Sequence, residues 1–463
     1  MLAKRILIGI LLGAVFTLFP LGTIVFLFAL ASAFYIRGGI KTESRKFLLI
    51  LFIAGFLLRV PLAFANYYAG LYFNVGADTQ PDARVYNNNA FNIARLITGS
   101  DVSKYVRRDP ILREGIETTL DAWGGKLAPI DSYQHGIYVY AIGLLYALLG
   151  YAPIAAKLIN GLFGCISAIL VYFIARSLTR SEVVSKLSAA LAMFFPSIVY
   201  WSVTLLRDPL ANLLFLIYVL SVINYMERNK GRYLAITAIS MLFLGLLKKH
   251  IAILLIGGFM LIILVQIVKN MIFKARAGGR LIALMIMTIA LMIFLPPSIP
   301  KISNFAVCNM AKIVKSNRSF SSNTDAANYI LYENSFSGEN KTHMNLKLPF
   351  YLLKALAYYL YSPFPWMVPY SHLLLLMFYP QNIFMIISIP FLFLGIISLL
   401  RRNFTITASI LAITAMVMLP QAMAEGVIGN VVRHRDMFTP LMLIFQAYGF
   451  FLMVFNKKMD VIK

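Results

Sequence analysis

The chain has 463 residues, 60% of them hydrophobic and 13% charged, with a mean hydropathy of +0.78. A soluble globular chain is roughly 45–50% apolar and about 25% charged, so this composition excludes a protein bounded only by water. Lys plus Arg number 42 against 18 Asp plus Glu, a net charge of +24, but the cations are scattered through short loops, which excludes a nucleic-acid binder and fits membrane topology.

Crossing a bilayer as a helix takes about 20 apolar residues. The first apolar stretch, 6–36, is longer than one upright helix and is divided at Phe19-Pro20-Leu21-Gly22. It reads as one helix or a hairpin, and no small-residue cleavage site marks it as a signal peptide. Spanning runs follow at 46–66, 154–177, 187–206, 210–226, 233–247, 251–268, 281–297, 382–400, 404–420 and 437–455. The fold class is therefore all-α, a polytopic bundle of about eleven or twelve transmembrane helices. Two larger loops, 66–136 and 298–348, separate these runs, and the semi-apolar stretches 137–150 and 349–361 read as helices at the interface. The organisation expected is an N-terminal segment (1–45), a core (46–297) containing the first loop, a loop region with interfacial helices (298–381) and C-terminal spans (382–463). Cys165, in an apolar run, and Cys308, in a polar one, form neither a disulfide framework nor a metal motif.

Alternating these helices puts Arg37, Lys41, Arg45, Arg176, Arg180, Arg228, Lys230, Arg232, Lys274, Arg401 and Arg402 on one face. The positive-inside rule makes that face cytoplasmic and both large loops external.

Charges at the outer helix ends carry the functional signal, because burying each in lipid costs roughly 2.5–3.5 kcal/mol or more. Four clusters fall there: Asp78 and Asp82 with Tyr86; Arg207-Asp208-Pro209; Lys248-Lys249-His250; and Glu425 with Arg433-His434-Arg435. Carboxylates facing several cationic groups suit an anionic, lipid-linked substrate and a carboxylate base. Each cluster also has a plainer reading. Asp82 after Pro81 is good helix-capping chemistry, Arg207-Asp208-Pro209 can be a helix stop, and Lys248-Lys249-His250 can be a turn that snorkels to headgroups.

Several segments, taken in order, resemble one family. Asp82-Ala83-Arg84-Val85-Tyr86 with Ala90 resembles its first external-loop motif, and Gly150 with Ala156-Lys157-Leu158-Ile159-Asn160-Gly161-Leu162 resembles the entry to its next helix. Phe195-Pro196-Ser197, Trp201-Ser202 and Arg207-Asp208 resemble the stretch ending in its second external acid. Arg433-His434-Arg435 with Pro440 resembles its late basic motif. The chain is similar to the GT-C superfamily of membrane glycosyltransferases, which holds dolichyl-phosphate-mannose protein mannosyltransferases and bacterial relatives that use undecaprenyl-phosphate sugars. The family's side-by-side Asp-Glu pair is absent, since Thr79-Gln80-Pro81 separates the two Asp here, so acceptor identity does not carry over.

The resemblance implies a polyprenyl-phosphate sugar as donor, a glycan, lipid or protein as acceptor, and transfer at the external face of a bacterial plasma membrane. Lys248, Lys249, His250, Arg433, His434 and Arg435 are the donor-phosphate candidates, for cations stabilise the charge that develops as the glycosidic bond breaks. Asp82, then Asp78, is the expected base, and Asp208 would orient the acceptor or hold a cation. Tyr86, Arg207 and Glu425 are further substrate-site candidates. A divalent cation is the one cofactor the sequence leaves open. Two rival readings are a polymerase or ligase with a polyprenyl-diphosphate donor, and a transporter or flippase; the second would place charges near mid-helix.

Overall fold

The computed structural model describes residues 22–39, 43–73, 81–99, 136–259, 341–364 and 378–455. These form sixteen helices: α1 (Thr23–Gly38), α2 (Arg45–Phe73), α3 (Pro81–Thr98), α4 (Ile137–Leu149), α5 (Pro153–Thr179), α6 (Glu182–Phe194), α7 (Pro196–Ser202), α8 (Asp208–Arg228), α9 (Gly231–Leu247), α10 (Lys249–Phe259), α11 (Lys341–Tyr361), α12 (Tyr379–Ile387), α13 (Ile389–Arg402), α14 (Phe404–Ala424), α15 (Ile428–Arg435) and α16 (Thr439–Phe455). The architecture is all-α, and the protein is an integral membrane protein. Among the described residues, four helices are long and apolar enough to cross a bilayer, within Arg45–Ala69, Pro153–Thr179, Asp208–Arg228 and Phe404–Ala424; counting three bent pairs as one span each raises the number to seven. The expected run 281–297, Asp78, Cys308 and most of both large loops lie outside the described residues.

The chain divides into two compact units. The first comprises residues up to Lys249 with Ile389–Leu399 and the segment from Thr439 on; the second comprises His250–Ser388 and Leu400–Phe438.

In the first unit α5 is central, with α2, α6 and α8 packed around it. Pro153 begins α5 where no N–H is needed, and Arg180, in the left-handed region at φ 52°, ends it by donating its N–H to the Arg176 carbonyl. Ser181 then caps α6. Glu182 in that first turn pairs with Arg176 and Lys186, giving a polar rim at the helix ends. Elsewhere in this unit α13 and α16 cross backbone to backbone. A Cβ at Gly395 would overlap the Phe445 carbonyl, and one at Gly449 would overlap that of Phe391. Small residues at such crossings are how helices pack closely when lipid supplies no hydrophobic drive between them.

In the second unit α11 packs against α14 and α15. Tyr359 of α11, fully buried, donates to Gln421 of α14 at 2.8 Å.

Candidate functional site

Proline chemistry sets the frame of the first unit. Pro196 has no N–H and drives Phe195 to an extended ψ of 121°, so α6 and α7 meet at a 53° bend instead of forming the continuous span expected over 187–206. The break frees carbonyls at the end of α6. Arg59, fully buried in α2, answers them: Nη2 donates to the Met193 carbonyl at 3.1 Å, Nε to Ser202 Oγ at 2.8 Å and Nη1 to the Gly55 carbonyl at 3.0 Å. The negative end of the α6 dipole favours a cation there. Gly164 leaves the room, for a Cβ would sit 2.8 Å from Ser202 Cβ and 3.3 Å from Arg59 Nε.

The chain leaving α7 is held by Asn160 of α5. Its buried amide nitrogen lies 2.6 Å from the Thr204 carbonyl, 2.9 Å from that of Leu206 and 2.9 Å from the Tyr138 hydroxyl. This pins the segment that presents Arg207 and Asp208. Arg207 donates to the Leu247 carbonyl at 2.7 Å, closing the end of α9. Asp208, in the first turn of α8, meets Lys248 Nζ at 2.5 Å, and the two side chains are 5% and 3% exposed. Two sequence clusters 40 residues apart are thus one buried junction. Lys249 and His250, next in the chain, are exposed.

Asp82 lies in the first turn of α3, directly after Pro81, and Tyr86 and Ala90 are buried below it. The Tyr86 ring packs edge-on against Tyr138, centroids 5.9 Å apart, so α3 touches the residue that Asn160 also holds. On the neighbouring face Asn87 accepts from Tyr146 and donates to Tyr151, each at 2.8 Å. Arg84 and Asn87 join Tyr67, Tyr151 and Lys157 around a small, narrow cleft. Lys157 is 1% exposed and holds its ammonium 5.6 Å from the Tyr67 ring centroid. A cleft with two cations, one amide and two phenols suits an anionic or hydroxyl-bearing group.

In the second unit the late basic motif divides its work. Arg435, fully buried, donates from Nη1 to the Leu360 and Ser362 carbonyls at 2.7 and 2.9 Å, and from Nη2 to Asn382 Oδ1 at 3.1 Å. It therefore closes the end of α11. Burial raises the Tyr361 phenol above its ordinary pKa, and the Arg435 charge opposes that. His434 Nδ1 lies 2.7 Å from Glu425 Oε1, both partly exposed, while Arg433 is buried. Among the described residues no group of three or more His, Cys, Asp or Glu side chains could hold a metal ion.

The Asn160 bridge, the broken α6–α7 pair and the Asp208–Lys248 junction all fall within the one segment that matches a known family. Residues 137–299 match the family model of dolichyl-phosphate-mannose-protein mannosyltransferase. That family is of the GT-C glycosyltransferase type. No curated protein and no solved structure matches the chain. Residues 137–299 are thus similar to a family of membrane glycosyltransferases, while Asp82 and the late basic motif lie outside the matched residues.

Sequence reasoning missed Arg59, although it is the one charged residue of the run 46–66 beyond Lys46 at its start. A charge within a span marks a structural or functional partner by default, and that signal was available. Asn160 and Lys157 stood inside a motif but carried no role until their partners were placed.

Proposed function

We propose that the chain transfers a sugar from a polyprenyl-phosphate donor to an acceptor hydroxyl at the external face of a bacterial plasma membrane, with inversion at the anomeric carbon. The match over residues 137–299 carries this reading, because the matched family is described by a dolichyl-phosphate-linked sugar donor. The external side follows from the basic loops, which the positive-inside rule assigns to the cytoplasm.

In this reading Asp82 takes the proton of the acceptor hydroxyl as its oxygen attacks the anomeric carbon, and the carrier phosphate departs with the bonding electrons. Asp78 is the second candidate. Lys249, exposed in the first unit, is the cation that meets the departing phosphate, since its neighbour Lys248 has a buried protein partner and serves the frame. The acceptor, a glycan, lipid or protein, enters from the aqueous side.

Base catalysis contributes about 10²–10⁴-fold. With a defined polyprenyl-phosphate sugar and acceptor, Asp82→Asn is expected to lose at least about 100-fold in transfer while expression holds. Near-normal transfer by Asp78→Asn/Asp82→Asn would overturn the assignment.

A further inference from the structure

The turn between α8 and α9 gathers three basic side chains, Arg228, Lys230 and Arg232, against one acid, Glu227. Asn229, left-handed at φ 49°, ends α8 by donating its N–H to the Tyr225 carbonyl. The reversal brings Arg228 and Arg232 onto one side chain. Arg228 donates to the Tyr233 hydroxyl at 3.0 Å and Arg232 to the same oxygen at 2.9 Å. Their guanidinium carbons lie 5.9 and 4.8 Å from the ring centroid. Lys230 stands between them at the N-cap of α9 and supplies no side-chain cap. Arg228, Lys230 and Arg232 are all exposed, and the ion pairs among the described residues, at Glu182, Asp208 and Glu425, include none of the three.

Two guanidinium groups held on one phenol oxygen repel each other, and an anion between them relieves that repulsion. The turn closes α8, a helix of spanning length and composition, so it lies where lipid headgroups begin. We infer that the α8–α9 turn binds the phosphate of an anionic phospholipid. Each guanidinium fork matches two phosphate oxygens, Lys230 adds a point charge, and the N-terminus of the 17-residue α9 presents backbone N–H groups and the positive end of its dipole. Tyr233 keeps the two forks in register. This site is separate from the proposed transfer chemistry and stands or falls independently of it.

The test is native mass spectrometry of the full chain in neutral detergent, titrated with phosphatidylglycerol, with phosphatidylcholine and with inorganic phosphate. The wild-type protein is expected to bind its first phosphatidylglycerol at least about tenfold more tightly than phosphatidylcholine, since each basic residue near an anionic surface contributes about fivefold. Arg228→Gln/Arg232→Gln should abolish that preference without moving the melting temperature, because both side chains are exposed. Arg228→Lys/Arg232→Lys should keep part of it, retaining charge and losing the forks. A preference unchanged in the Gln pair would overturn the site. Inorganic phosphate displacing the lipid at equal concentration would overturn the lipid as its ligand.

Discussion

Replacing Lys248 by Met removes the ammonium that lies 2.5 Å from the Asp208 carboxylate and leaves that carboxylate, 5% exposed at the head of α8, without its counter-charge. At this separation two unit charges attract by about 7 kcal/mol for an effective dielectric of about 20. Taking each ion out of water costs several kcal/mol, so the intact pair contributes little net stability. Breaking it from one side is different, because the desolvation cost remains and the attraction is gone. Lys248→Met and Asp208→Asn are each expected to lose stability, the Met change by about 3–5 kcal/mol. The double variant Asp208→Asn/Lys248→Met removes both charges and should be more stable than Lys248→Met alone by at least about 2 kcal/mol. Reversible unfolding in mixed detergent micelles reads this directly and requires no knowledge of the substrate. Losses below about 1 kcal/mol in both single variants, or a double variant whose loss is their sum, would refute the buried-pair reasoning.

Arg59→Met should destabilise the α6–α7 break by about 2–4 kcal/mol, since each buried polar group left without its partner costs about 1–3 kcal/mol; Arg59→Lys should fall between, and unfolding of a Met variant at the wild-type midpoint would count against the guanidinium as the pin. Gly449→Ala drives a methyl into the Phe391 carbonyl, so the α13–α16 crossing must open; a loss of about 1–3 kcal/mol is expected in the same unfolding assay, and Gly395→Ala, at the same crossing, should not add to it fully. The sidedness reading is checked with Arg401→Cys in a background lacking Cys165 and Cys308: an impermeant thiol reagent should leave it unmodified in sealed cells and label it once the membrane is opened.

Much of the architecture was readable because a bilayer imposes its thickness on sequence. The runs at 46–66, 154–177, 210–226 and 404–420 became helices with ends within a few residues, apart from α2, which continues to Phe73. Pro196 was visible as a break signal, yet one span was expected across it, since periodicity alone does not say that the freed carbonyls find Arg59. Asp82 was placed at a helix start by Pro81 and by the spacing to Tyr86 and Ala90, and α3 begins there. What each cation does was not legible in the same way. Lys248 and Lys249 are neighbours in sequence, but one is buried on Asp208 and the other faces out. Arg435 reaches carbonyls 73 and 75 residues away, a distance in the chain that no local pattern encodes.

Arg59, Arg207 and Arg435 share a habit with consequences for how this protein can change. Between them they grip the main-chain oxygens of Gly55, Met193, Leu247, Leu360 and Ser362. A carbonyl is offered by every amino acid, so the hydrogen bond itself makes no demand on the receiving side chain while it does on the arginine. Such contacts leave no paired signal for covariation methods, and a mutational library at half-buried Leu360 would look more permissive than one at Arg435, which grips its carbonyl. These arginine-to-backbone ties are therefore recorded on one side of the alignment only.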